Sequence, residues 1–185
     1  MKQKRIFLGS FTHHPELFKL WGHTKEILQD TSVIKWTRRP ENLHFTLHFF
    51  GDMPIDKIID LQKILSGIIE VNHEILFQIT SLKFFKRKGK PAVLYAHIDD
   101  TTGELEKLYL EIQEILFQNG FVEHIKTSFV PHITFGRIKK VSPLFYEEID
   151  SLNKNFKIIN FDKFCPQIIE SVLSPEGALY RPLKI

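Results

Sequence analysis

The sequence predicts an α+β fold of two pseudo-symmetric lobes, each an antiparallel sheet with flanking helices, around a central cleft. Three observations carry this. Short runs of Phe, Ile, Val and Tyr follow one another with no helix between them, which suits antiparallel sheets better than a doubly wound parallel sheet. Three longer segments place apolar residues at helical spacing. A His-x-Thr pattern between apolar neighbours occurs twice, at His44 and His132, 88 residues apart in a chain of 185.

In chain order, a first strand is expected over 4–10, where Ile6-Phe7-Leu8 follows a basic start. A helix over 13–29 carries Leu17, Phe18, Leu20, Trp21, Ile27 and Leu28 behind a Thr12 cap and Pro15. A strand over 43–50 precedes the break at Gly51-Asp52. The helix over 54–70 has Ile55, Ile58, Ile59, Leu65, Ile68 and Ile69 on one stripe, with Asp52 as N-cap and Pro54 in the first turn. Strands over 74–85 and 91–98 flank the turn Lys88-Gly89-Lys90-Pro91. The third helix, 102–118, places Leu105, Leu108, Ile112, Ile115 and Leu116 together and stops at Asn119-Gly120. Strands over 128–135, 156–164, 166–172 and 179–184 complete the chain. No linker divides it, so residues 1–185 are expected to form one domain made of two related lobes.

Composition sets the class. With 43% hydrophobic and 25% charged residues the chain belongs with soluble globular domains, not with disordered ones. Its single Cys165 excludes an intramolecular disulfide and a Cys-cluster zinc site. The N-terminus has too short an apolar run for a signal peptide, and no run is long enough to span a membrane. A cytoplasmic location and no membrane partner are the expectation, and a monomer suffices. The net charge of +3 is uneven. Residues 1–92 hold 15 Lys/Arg against 9 Asp/Glu, a net +6, and residues 93–185 hold 10 against 13, a net −3. The densest basic stretch runs from Lys83 to Lys90, which fits either a solvated turn or contact with an anionic partner such as RNA.

The repeat carries the chemistry. Residues i and i+2 of a strand share a face. His44 and Thr46 therefore point one way and Phe45 and Leu47 the other, and His132 and Thr134 are arranged like them against Ile133 and Phe135. The apolar pairs can enter the core while the polar pairs line the cleft. Two imidazoles and two hydroxyls suit phosphoryl chemistry. With a pKa near 6.5, one imidazole can take a proton from water while the other gives one to a leaving alkoxide. The hydroxyls can donate to phosphate oxygens, and no metal or other cofactor is required. One His-x-Thr in a strand is usually structural; two in like settings point to a site. His48 shares the face of His44 and Thr46 by strict alternation, a metal-like spacing. No carboxylate or Cys cluster accompanies it, so a metal site is not expected. The other six His, at 13, 14, 23, 73, 97 and 124, read as ordinary polar residues.

These segments resemble the 2H phosphoesterase superfamily, and within it the RNA 2',3'-cyclic phosphodiesterase (2'-5' RNA ligase) family. Trp36, Pro40-Glu41-Asn42-Leu43-His44-Phe45-Thr46-Leu47 and Gly51 are similar to one family stretch, and Pro131-His132-Ile133-Thr134-Phe135-Gly136-Arg137 to the other. Arg5-Ile6-Phe7-Leu8-Gly9 is similar to the family's first strand, and Ser171 to Tyr180 to its close. The resemblance implies hydrolysis of an RNA-terminal 2',3'-cyclic phosphate to a 2'-phosphate. His44 would be the general acid for the leaving 3'-oxygen and His132 the general base for water. Thr46, Thr134 and Arg137 would bind the phosphate. The expected partners are RNA ends or nucleotides carrying a 2',3'-cyclic phosphate. Which imidazole is acid and which base does not follow from the residues alone.

Some positions depart from the family, mildly at Phe135 and Gly136. His48 stands where Arg or Lys is common, and Pro91-Ala92-Val93-Leu94-Tyr95 lacks a cation that bacterial members often carry. Both bear on substrate preference. The alternatives are a 2'-5' oligonucleotide phosphodiesterase or ligase, a small cyclic nucleotide phosphodiesterase, and a non-catalytic RNA-binding module.

Overall fold

The computed structural model describes residues 3–175 and 177–183. Their elements run β1 (Gln3–Phe11), α1 (Pro15–Ile27), β2 (Ser32–Trp36), a 3-10 turn (Pro40–Asn42), β3 (His44–Pro54), α2 (Ile55–Ile64), β4 (Phe77–Arg87), β5 (Lys90–Asp99), α3 (Glu104–Gln118), β6 (His132–Val141), α4 (Leu144–Lys154), β7 (Ile159–Phe161), β8 (Gln167–Ser174) and β9 (Gly177–Pro182). Every strand pairing is antiparallel. The expected α+β class stands.

The strands form one continuous sheet in the order β7-β4-β5-β6-β3-β1-β8-β9, with β2 also paired to β6. Its narrowest joint is between β3 and β6, where Phe45 opposite Ile133 is the one paired position. Strands β2 and β3 run in the same direction along one edge of β6: Ser32 to Trp36 pair with Val141 to Gly136, and Phe45 then pairs with Ile133. β3 and β6 thus overlap only near their first residues. Beyond the overlap β3 pairs with β1, and β6 with β5.

One core holds the sheet and helices together. Ile6, Leu8, Phe45, Leu47, Phe77, Ile79, Leu82, Leu94, Ile98, Ile133 and Phe135 turn one way from their strands. They meet Leu17, Ile58, Leu61, Leu105, Ile112, Leu116, Phe145 and Ile149 of the four helices. Phe45 and Ile133 are wholly buried. Each such side chain contributes roughly 1.5–3 kcal/mol by leaving water, so the joint is narrow in hydrogen bonds but strong in packing.

Several boundaries depart from the sequence reading. Strand β2 and helix α4 occupy stretches for which the sequence predicts no element. α4 follows the spacing Phe145, Ile149 and Leu152, and Phe145 packs on Phe84 of β4 with ring centroids 5.9 Å apart. The strand expected over 128–135 begins only at His132 and runs to Val141. Asp52 is not a helix cap; β3 continues through it to Pro54, which caps α2. α1 is capped by His14, whose Nδ1 accepts from the Glu16 amide, while the Thr12 hydroxyl donates to the Leu43 carbonyl. The expected stop at Asn119-Gly120 is present, with Gly120 at φ 72°.

Gly9 shows how tightly β1 lies on β3. A Cβ there would sit 2.5 Å from the Phe45 carbonyl oxygen and 3.0 Å from the Phe7 ring. Gly9→Ala should therefore destabilise the protein by about 1–3 kcal/mol, a loss of several degrees in Tm. Gly22→Ala, in α1 with open space around it, should instead stabilise by roughly 0.5–1 kcal/mol. Thermal melting of the two variants checks the contrast.

Candidate active site

The antiparallel pair Phe45–Ile133 fixes the site. With Phe45 opposite Ile133, His44 faces Thr134 and Thr46 faces His132 across the same two strands. Phe45 and Ile133 point into the core, so alternation turns all four polar side chains to the other face. The structure thus brings together His44, His132, Thr46 and Thr134, as the sequence predicts.

Both imidazoles are held by the same local device. His44 Nδ1 lies 2.7 Å from the Asn42 carbonyl, and His132 Nδ1 lies 2.7 Å from the Val130 carbonyl, in each case two residues back. A carbonyl only accepts, so Nδ1 carries the hydrogen and Nε2 of the neutral ring keeps a free lone pair. Aromatic walls fix the ring planes. His44 packs against Phe7 at 4.8 Å and Tyr180 at 4.6 Å, and His132 against Phe85 at 4.9 Å and Tyr95 at 5.2 Å. Gly9 makes the first wall possible, because the Phe7 ring folds across the space where a side chain would stand.

These walls also set the electrostatics. Burial lowers the pKa of His44 to about 4, opposed by its bond to Asn42 and helped by charge on His132. Burial likewise holds His132 below 6.5 against its bond to Val130. Burial thus favours the neutral form of both rings in the free protein. Burial raises the Tyr180 phenol, while the charges of Arg137 and Arg5 pull it the other way.

A bulge then changes the phase of each motif strand. Leu8 pairs with His48 and Gly9 with Thr46, leaving Leu47 without an opposite residue; Leu94 pairs with Gly136 and Tyr95 with Thr134, leaving Phe135 likewise. Each extra residue is the third after its His. Beyond a bulge the alternation of faces is reset. In β6 this brings Arg137 to the exposed side, on the face of His132 and Thr134, while Ile138 turns into the core.

In β3 it does the opposite to His48. Strict alternation puts His48 beside His44 and Thr46, and the structure corrects this. His48 is buried on the helix side, where the Gln113 amide nitrogen lies 3.1 Å from its Nδ1. Desolvation, with help from Lys126, lowers its pKa to about 4.

Sequence reasoning passed over several residues here. Phe7, Phe85, Tyr95 and Tyr180 line the imidazoles, and the sequence assigns none of them to the site. His97 read as background, yet it lies opposite His132 on β5. Burial, Lys83 and His132 lower its pKa, against Asp99. The basic stretch forms the end of the β4–β5 hairpin, closed by Lys88 and Gly89 at φ 51° and 76°. Its Phe85 reaches His132, so this hairpin touches the site through an aromatic ring.

An antiparallel α+β sheet that presents two His-x-Thr strands to each other in this way has the architecture of a two-histidine phosphoesterase. Comparison with known proteins agrees. The family described as LigT like Phosphoesterase matches residues 17–95. An RNA 2',3'-cyclic phosphodiesterase of Thermotoga maritima is 32% identical over 143 residues, covering 77% of this chain and 74% of the relative. One from Aquifex aeolicus is 26% identical over 185 residues, covering 97% and 95%. Among solved structures, a protein of Thermus thermophilus superposes with a TM-score of 0.69 at 21% identity, covering 97% of this chain and 95% of that one. E. coli LigT complexed with 3'-AMP superposes with a TM-score of 0.65 at 16% identity, covering 100% and 96%. The chain belongs to the LigT-like, two-histidine phosphoesterase family of RNA 2',3'-cyclic phosphodiesterases.

The placement of His48 gives a test. A His whose folded pKa lies below its unfolded value binds fewer protons when folded. Its contribution is complete above pH 6.5 and is lost as pH falls from 6.5 toward 4. His48→Gln should therefore lose less stability than wild type over that range, by the binding of about one proton. It should leave turnover of a cyclic phosphate within about twofold, because His48 faces away from the site. Denaturant unfolding from pH 7 to 4, with an activity assay, checks both; a large loss of turnover would return His48 to the site.

Proposed function

We propose that this protein hydrolyses RNA-terminal 2',3'-cyclic phosphate to a 2'-phosphate by metal-independent acid–base catalysis. The observation that carries the reading is the matched pair of imidazoles, each held through Nδ1 and each offering Nε2 on one face of two adjoining strands. Two half-sheets, joined at Phe45–Ile133 and each supplying one His-x-Thr, are the two related lobes of the repeat, and the tetrad lies in the cleft between them.

In this reading Thr46 and Thr134 donate hydrogen bonds to non-bridging phosphate oxygens. Arg137 adds a charge-assisted pair of donors. Neutral His132 takes a proton from water through Nε2 as the oxygen attacks phosphorus. The bond from phosphorus to the 3'-oxygen breaks on the opposite side, and protonated His44 gives that oxygen its proton. The product keeps the phosphate on the 2'-oxygen, and each imidazole ends in the state in which the other began.

One imidazole must be charged and one neutral, and burial places both free-enzyme pKa values below 6.5. The singly protonated pair is populated between the two apparent values. The kcat/KM for a cyclic phosphate should therefore peak below pH 6.5 and fall as pH rises through neutrality. A bound phosphate anion favours the charged acid, so kcat should persist to higher pH than kcat/KM. Steady-state rates from about pH 4 to 9 give both profiles; a kcat/KM that climbs steadily across that range contradicts the two-imidazole reading.

His44→Ala and His132→Ala should each lower turnover by about 10²–10⁴ with melting close to wild type, and chelator should change nothing. The position of the phosphate on the product, read on a panel of cyclic and 2'-5' linked ends, separates hydrolysis of the cyclic end from the other substrate classes. Near-wild-type turnover in either variant would overturn the proposal.

A further inference from the structure

The two motif strands match residue for residue beyond their His-x-Thr. His44 answers to His132, Thr46 to Thr134 and bulged Leu47 to bulged Phe135. After the bulge, the next residue on the site face is Arg137 in β6 and Phe49 in β3. Phe49 lies opposite Phe7, whose ring touches His44, so it belongs to that face, and it is half exposed. The first half thus carries a bare aromatic ring where the second carries a guanidinium.

A neighbouring strand supplies the missing charge. Arg5 shares the face of Phe7 by alternation along β1, and its guanidinium lies 4.9 Å from the centre of the Phe49 ring. Among the described residues its one ion pair is with Asp52, at 3.7 Å between well-exposed groups, a contact that holds a side chain weakly. On the helix-side face the same strands treat their cations differently. Lys4 and Arg181 both lie 3.0 Å from one carboxylate oxygen of Glu170 and share its charge. On the site face, among the described residues, no carboxylate pairs with Arg137, and Arg5 has only the long contact to Asp52.

β3 and β6 leave their shared pair in opposite directions, so Arg137 and the Arg5–Phe49 pair flank the tetrad from two sides. Both charges also act on the Tyr180 hydroxyl, whose ring packs on His44. A phosphate centred on the tetrad and held by Arg137 leaves Arg5 for a different anion. In an RNA end that anion is the backbone phosphodiester one nucleotide away.

We propose that Arg5, laid on Phe49, binds the phosphodiester that precedes the terminal nucleotide, and so makes the site prefer the end of an oligonucleotide over a free mononucleotide. This rests on the proposed phosphoesterase reading for the position of the terminal phosphate. The ring beneath the guanidinium restricts it and offers a face to an unstacked base.

The test compares affinities for two product-class probes: a nucleoside 2'-monophosphate, and a dinucleotide ending in the same 2'-monophosphate. Wild type should bind the dinucleotide about tenfold more tightly, as one charge-assisted contact provides. Arg5→Gln should remove most of that ratio, and Arg137→Gln should weaken both probes alike. Asp52→Asn should keep the ratio or increase it, because Arg5 is then freed. Thermal melting establishes that each variant is folded. The inference is overturned if Arg5→Gln leaves the ratio at its wild-type value, or weakens both probes equally, or if Asp52→Asn loses the ratio as Arg5→Gln does. Binding is the readout, so failure of wild type to hydrolyse any cyclic phosphate would sink the catalytic reading and leave this one to the affinity ratio.

Discussion

The contact on which the rest of the structure depends is Phe45 against Ile133. It is the one position at which two half-sheets pair, and both side chains are wholly buried. Because a strand alternates, holding these two side chains in the core forces their neighbours onto the other face. The tetrad of His44, Thr46, His132 and Thr134 is thus the reverse side of a packing contact. Its geometry is no looser than the core itself, since a shift of one residue in either strand would exchange a core face for a polar one.

The same economy governs the electrostatics. Phe7, Tyr180, Phe85 and Tyr95 exclude water from the imidazoles, and this lowers their pKa values. The carbonyls of Asn42 and Val130 work against that shift and also select the tautomer. Walls and carbonyls together favour two neutral rings with Nε2 free. An anion bound beside them would favour charge on one of the two.

Much of the fold was legible from local patterns. The helices around Leu17 and Ile112 follow apolar spacing that a single helix displays on its own, whereas α2 ends at Ile64, short of the Leu65, Ile68 and Ile69 of its expected stripe. β2 and α4 were not. β2 has only five residues, with Ile34 and Trp36 packed against the core, and it exists because β6 has an edge to fill. α4 is short, and it is settled by the packing of Phe145 on Phe84 from a distant strand. The start of β6 was misplaced for a related reason: residues 128–131 are apolar enough for a strand, but Pro131 has no N–H to give, and its carbonyl alone meets β5 by accepting from the Ile98 amide.

The sequence by itself determined the class of the fold and the four polar residues of the tetrad. A period of two needs nothing but the strand, and its recurrence 88 residues later marks both copies. Only the tertiary structure decided which other side chains join them. His48 and Arg137 lie beyond Leu47 and Phe135, and in each strand a bulge resets the faces, sending His48 to the helices and Arg137 to the site. A bulge is a property of two strands in register, as is the placing of Arg5 over Phe49. Neither can be read along one strand, because each depends on residues that meet only when distant segments pair.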